Sequence, residues 1–288
     1  RLVYNNSQGE LTMDERIHRV AALANISAYD PEGTRKYIDG APHIKHASLR
    51  ALYANLLVQV YDFAKEYTAV PRVLDLGAGE GSVTLPFLEL GATVTAVDIS
   101  SSQLNLLQSK CEHFSDRLEV RCEDVADTLK RKDSNYDIIV ANSFLHHIPD
   151  YLSMIREAIT LLTPWGQFFS FQDPLRYDSV GKFTMIFSTL AYFSWRVFKG
   201  DVVGGFKRRL RRMRGIYLED SIHDNAEYHV TRNGVDQDAI CRLFEDCGFD
   251  CNIVRYFSTQ SRLFQPIGSA LVLKNTFAVI ARRRTSMR

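Results

Sequence analysis

Apolar positions along the chain change period several times, and each change marks an element. Residues 12–26, TMDERIHRVAALANI, repeat at helical spacing. Residues 27–46 hold two prolines and two glycines and read as a loop with a short turn. Residues 48–67, SLRALYANLLVQVYDFAKEY, form an amphipathic helix with Ser48 as its N-cap. At Pro71 the texture shifts. RVLDLGAG is a short buried strand ending in glycines, GSVTLPFLELG a helix stopped by Gly91, and TVTAVDIS a strand. SQLNLLQSKCEHF is a helix, LEVRCEDV and YDIIVANSF are strands, YLSMIREAITLLT is a helix, and GQFFSFQDP is a fifth strand.

Strands alternating with helices at this spacing predict an α/β fold, a doubly wound and mostly parallel sheet with helices on both faces. The alternation stops at Pro174 and resumes with the helix DQDAICRLFEDCGF, followed by two strands near 250–257 and 275–282. The chain therefore divides into an N-terminal helical cap (1–70), a core (71–174 and 236–284) and a helical insertion or lid (175–235) over the carboxyl edge of the sheet.

The 288 residues carry a formal net charge of +1, so no global field draws the chain to nucleic acid. The five cysteines show no CxxC pair and are expected to be reduced thiols of a cytoplasmic protein. The opening residues lack the basic start and apolar core of a signal peptide, and no stretch is apolar enough to span a bilayer.

In VLDLGAGEG, Gly77, Gly79 and Gly81 stand between a strand and a helix, where glycine lets the backbone turn sharply and approach a ligand. Asp98 ends the next strand, where an acid accepts hydrogen bonds from ribose hydroxyls. The spacing is GxGxG rather than GxGxxG, and Asp75 inside the motif would repel a pyrophosphate but suit a cation. A ligand bearing ribose, an amine and a sulfonium fits: S-adenosyl-L-methionine.

VLDLGAGEG, VTAVDIS, CEDV and YDIIVANSFLHHIPD, in this order, resemble the class I S-adenosylmethionine-dependent methyltransferases over residues 71–174 and, more loosely, the last fifty residues. The resemblance implies a Rossmann-like sheet of seven strands with the last antiparallel. It implies that Asp75, Gly77 and Gly79 line the methionine moiety. Asp98 would hold the ribose with Ile99 against the adenine, and Asp124 and the Val125 amide would meet the adenine edge. The Asn142 carbonyl would lie near the sulfonium.

Methyl transfer is an in-line displacement that depends on positioning and exclusion of water and requires no metal. A hydroxyl or neutral amine acceptor must also lose a proton. His146 and His147 follow the fourth strand, and either could be the base or a packing residue, with His147 slightly favoured and Asp173 as the carboxylate behind it. The N-terminal segment is expected to fold over the cofactor, with Tyr37 or His43 near it. His43, His46, His223 and His229 form no metal signature.

The insertion offers a helix crowded with aromatics, KFTMIFSTLAYFSWRVF, and a basic run, KRRLRRMR, at 207–214. It reads as a packed lid with a solvated basic helix, a wall for an anionic acceptor, a membrane attachment or a weak RNA contact. The expected function is methylation of a small molecule, a metabolite, sugar or natural-product intermediate, on oxygen with nitrogen next. Lipid or RNA methylation is the runner-up, and a non-catalytic cofactor-binding protein the reading from a different class.

Overall fold

Arg72–Leu76 (β1) buries every residue after Arg72, because a central parallel strand is covered on both faces. The computed structural model describes residues 12–28, 41–131, 135–199, 225–226 and 228–284. Around β1 the chain lays down Thr93–Asp98 (β2), Leu118–Cys122 (β3), Tyr136–Asn142 (β4), Leu162–Pro174 (β5), Phe249–Tyr256 (β6) and Thr276–Arg283 (β7). Their spatial order is β3-β2-β1-β4-β5-β7-β6. The pairings among β1 to β5 are parallel, and β7 runs antiparallel to both β5 and β6. The order reverses between β2 and β4 on either side of β1, so a ligand crevice opens outside the carboxyl ends of these strands.

Met13–Ala28 (α1), Pro42–Lys45 (α2) and Ala47–Lys65 (α3) precede the sheet. Thr84–Leu90 (α4), Ser101–Lys110 (α5), Val125–Lys130 (α6) and Tyr151–Ile159 (α7) are the crossovers. Lys182–Lys199 (α8) and Tyr228–Thr231 (α9) belong to the insertion, and Gln237–Asp246 (α10) and Phe264–Ala270 (α11) flank β6. The last lies between the final two strands, where the sequence had suggested no helix.

Side chains of the central strands alternate between two apolar layers. One holds Leu74, Ile139, Phe168, Phe244 and Val279 under α7 and α10, and the other Val73, Val140, Phe169, Phe171 and Ala278 under α3 and α4. Helix starts follow local chemistry. The Ser100, Asp150 and Asp236 side chains accept from backbone N–H groups of α5, α7 and α10. Ser48 does not cap its helix, which begins one residue earlier at Ala47 with His46 as the flanking residue.

One expectation is corrected. Cys241 and Cys251 are not thiols but a disulfide joining α10 to β6, with Cα atoms 5.5 Å apart, because packing α10 against β6 sets the two side chains face to face. Cys111, Cys122 and Cys247 are free. The bond closes a ten-residue separation, so its reduction should cost about 2–3 kcal/mol, measured as the gap between urea midpoints with and without reductant. Among the described residues no helix is long and apolar enough to cross a membrane.

Candidate active site

The β1–α4 turn places three glycines at positive φ: Gly77 (71°), Gly79 (54°) and Gly81 (91°). These are left-handed conformations that favour glycine. At Gly77 space is also closed, since a Cβ there would lie 2.2 Å from the Phe144 ring. At Gly79 a Cβ would meet only Gln103 Oε1, at 3.8 Å, so that stretch of backbone is open to a ligand. The loop is fixed from below. Gly77 N–H and Ala78 N–H both donate to the Val97 carbonyl, and Gly79 N–H donates to Asp98 Oδ2 at 2.9 Å. The other Asp98 oxygen accepts from Ser100 N–H at 2.8 Å. Burial raises the Asp98 pKa, and these backbone donors oppose the rise.

An open cavity lies against this loop. Of the positions predicted from sequence, Gly77, Gly79, Asp98, Ile99, Asp124, Val125, Asn142 and His147 line it. Asp75, His146 and Asp173 do not.

Asp75 is fully buried beneath the loop. Thr84 Oγ1 donates to its Oδ2 at 2.7 Å, and its Oδ1 has no partner. Burial lifts its pKa to about 7. A raised acid contributes stability fully below its unfolded value and loses it as pH climbs through the folded value. Asp75→Asn should therefore gain stability relative to the parent between about pH 4 and 7 and hold that gain above. Urea melts across this range read the gap, and a constant gap would contradict it.

The two histidines sit on a 3₁₀ turn, Leu145–His147, with ring centroids 4.0 Å apart. Their partners differ. Asp173 Oδ1 accepts from the backbone N–H of His146 at 3.1 Å and from its Nδ1 at 2.8 Å. His147 Nδ1 instead faces the Ala226 carbonyl. A carbonyl only accepts, so Nδ1 carries the proton and Nε2 is the basic atom of the neutral ring. The carboxylate thus stands behind His146, whereas the histidine on the cavity wall is His147. Burial pushes the Asp173 carboxyl upward, and contact with His146 counters it.

Strain accompanies this arrangement at the ends of two neighbouring strands. Ser143 (φ 51°) follows β4, and its N–H donates to the Phe171 carbonyl. Gln172 (φ 72°) sits at an irregularity of β5, where its N–H donates to Tyr256 Oη at 3.0 Å. Non-glycine residues in this region cost about 1–3 kcal/mol each and gather at functional sites.

Sequence reasoning passed over several wall residues. Ala21, Ala22 and Asn25 come from α1, so N-terminal residues do reach the cavity, although Tyr37 lies outside the described residues. Their signal is small and polar residues on one turn of a helix. Gln103, in the first turn after β2, is another. The side-chain oxygens of Asn25, Gln103 and Asn142 are all buried without a partner, and all three residues line the cavity. With Asp98 and Asp124 also on the wall, and Glu80 there paired with Lys110, the cavity is rich in acceptors, poorly suited to a pyrophosphate and suited to hydroxyl, amine and cationic donors.

His43 is elsewhere, buried beside Tyr53 and Phe171 with both ring nitrogens unpartnered, and burial lowers its pKa to about 4, so it is neutral. His46 Nε2 pairs with the Thr259 carbonyl, and His229 Nε2 with the Ile148 carbonyl. His223 and the basic run 207–214 lie outside the described residues. Among the described residues no group of three or more His, Cys, Asp or Glu could hold a metal ion. Among the described side chains, no aromatic of α8 lines the cavity.

Residues 73–166 match a family model described as a methyltransferase domain. The ubiquinone biosynthesis O-methyltransferase of Xanthomonas campestris pv. campestris (strain B100) is 31% identical over 110 residues, 38% of this chain. That match spans only 46% of the relative, about half its length. Among solved structures, the Burkholderia thailandensis 1,6-didemethyltoxoflavin-N1-methyltransferase, with 1,6-didemethyltoxoflavin and S-adenosylhomocysteine bound, superposes with a TM-score of 0.53 at 17% identity. The alignment covers 97% of this chain and 94% of that one. The magnesium protoporphyrin IX methyltransferase of Synechocystis PCC 6803 gives 0.52 at 16% identity, covering 92% of this chain and 100% of the other. At these identities the two structures establish the shared fold.

Proposed function

We propose that this chain, whose residues 73–166 match a methyltransferase-domain model, is a class I S-adenosylmethionine-dependent methyltransferase that binds S-adenosylmethionine in the Asp98 cavity and methylates a hydroxyl group of a small molecule with His147 as base. The observation that carries the reading is the position of His147. It is the histidine on the cavity wall, and its Nδ1–H is held by the Ala226 carbonyl so that Nε2 is its basic atom.

The cofactor supplies an electrophilic methyl carbon. The protein's part is to bind, orient and deprotonate. Asp98 accepts from the ribose hydroxyls while its backbone donors keep it in place. Asp124 accepts from the adenine amino group, with the Val125 amide beside it and Ile99 against the ring. The unpartnered oxygens of Asn25, Gln103 and Asn142 are acceptors for the remaining donors of the ligand. Asp75 acts beneath the glycine loop rather than by contact. Asp173 holds His146 and through the shared turn positions His147, so it is a positioning residue.

A base matters most for a hydroxyl, whose proton must leave during transfer, and the Xanthomonas relative named above is an O-methyltransferase. Calorimetric titration with S-adenosylmethionine tests the first half; the wild-type protein giving no heat of binding would refute it. Methyl transfer from labelled cofactor to panels of hydroxyl and amine acceptors tests the second. Amine products alone would replace O-methylation with N-methylation.

A further inference from the structure

Exposed apolar side chains are not scattered over this protein. Of the fifteen large ones among the described residues, nine lie in α8 or within residues 263–272, the span of α11 and its immediate flanks. On α8, Phe183, Ile186 and Val197 are each 61% exposed and Leu190 55%. At 3.6 residues per turn these four fall within an arc of about 60°. Thr184 and Ala191, on another side of the helix, are buried. Along α11, Leu263, Ile267 and Leu271 repeat every four residues and are also exposed. The two helices touch, because the Phe187 ring lies 5.1 Å from Phe264 and 5.6 Å from Phe257. The result is one continuous apolar face. An exposed patch of this kind marks an interaction surface.

Charge around the face identifies the occupant. Residues 179–199 contain no acid and three bases, Lys182, Arg196 and Lys199. Residues 258–275 contain no acid and two bases, Arg262 and Lys274. Arg196 also lies over the Tyr192 and Trp195 rings, a cation held beside amphipathic aromatics of the kind enriched at membrane interfaces. A second copy of the chain would bring basic rim against basic rim, which disfavours self-association here. A bilayer with anionic headgroups satisfies both features, apolar side chains entering the acyl boundary and bases meeting phosphates. No helix among the described residues can span the membrane, so the contact is interfacial.

We propose that the face formed by α8 and α11 docks the protein peripherally on anionic lipid bilayers. Both helices lie just beyond the carboxyl ends of parallel strands, α8 after β5 and α11 after β6, so docking sets the edge of the sheet that bears the cavity toward the bilayer. The proposal is independent of the catalytic reading.

Flotation with extruded vesicles tests it. Wild-type protein should float with phosphatidylcholine vesicles containing about one-third phosphatidylglycerol and remain in solution with phosphatidylcholine alone. The triple variant Phe183→Ser, Ile186→Ser, Leu190→Ser changes only exposed positions, and an unchanged thermal midpoint verifies its fold. Its partitioning should fall about tenfold or more. Lys182→Glu with Lys274→Glu should lower it by at least about fivefold per residue and weaken the salt dependence. Wild-type protein that fails to float with anionic vesicles, or a folded triple variant that floats as well as wild type, overturns the proposal. So does concentration-dependent dimerisation abolished by the triple variant, which would assign the face to a second copy.

Discussion

His147→Ala should lower turnover about 10²–10⁴-fold with little change in S-adenosylmethionine affinity, the signature of a lost general base. Three features lead there. His147 lines the cavity, its Nδ1 is committed to the Ala226 carbonyl, and its partner ring is occupied by a buried carboxylate. His146→Ala is the informative contrast. It removes the ring that partners the buried Asp173, so the loss should appear first in stability, about 3 kcal/mol or more. Measuring turnover, cofactor affinity and unfolding on both variants separates the roles. If His147→Ala retains wild-type turnover on a hydroxyl acceptor, the base has been misassigned.

Asp98→Ala should weaken S-adenosylmethionine binding at least about a hundredfold, read by calorimetry. Two losses add. The ribose loses its charged acceptor, and hydrogen bonds to a charged group contribute about 1.5–3 kcal/mol each. The Gly79 and Ser100 N–H groups also lose their partner, which frees the glycine loop and the first turn beyond β2. Asp98→Asn keeps one acceptor oxygen and should fall between the two. Equal binding by Asp98→Ala and wild type would place the cofactor elsewhere.

Legibility followed distance along the chain. The glycine loop, Asp98 and Asp124 were readable because each is a strand end followed at once by its turn, so local spacing fixes the geometry. The alternation of elements was readable for the same reason. The partner of Asp173 was not. It depends on a 3₁₀ turn after β4 meeting an irregularity of β5, two events 27 residues apart that no periodicity reports. The contribution of α1 to the cavity was legible only as a general expectation, since Ala21 and Asn25 reach the wall by tertiary packing. The Cys241–Cys251 bond was missed because spacing alone does not say that a helix residue and the strand after it will face each other.

The irregularity at Gln172 has a consequence at the level of a single codon. Phe171 pairs with Ala278 and Asp173 with Phe277, adjacent residues of β7 that point to opposite sides of the sheet. If Gln172 took a regular place in the strand, Asp173, two residues beyond Phe171, would fall on the side of Phe171, whose parallel partner is Asn142 on the cavity wall. Deleting Gln172 would instead leave Asp173 next to Phe171, still opposite Phe277 and on its present side of the sheet, so the deletion should regularise the ladder while keeping the contact with His146. The irregular placing of Gln172 keeps the acid that steadies the histidine turn apart from the acids on the cavity wall.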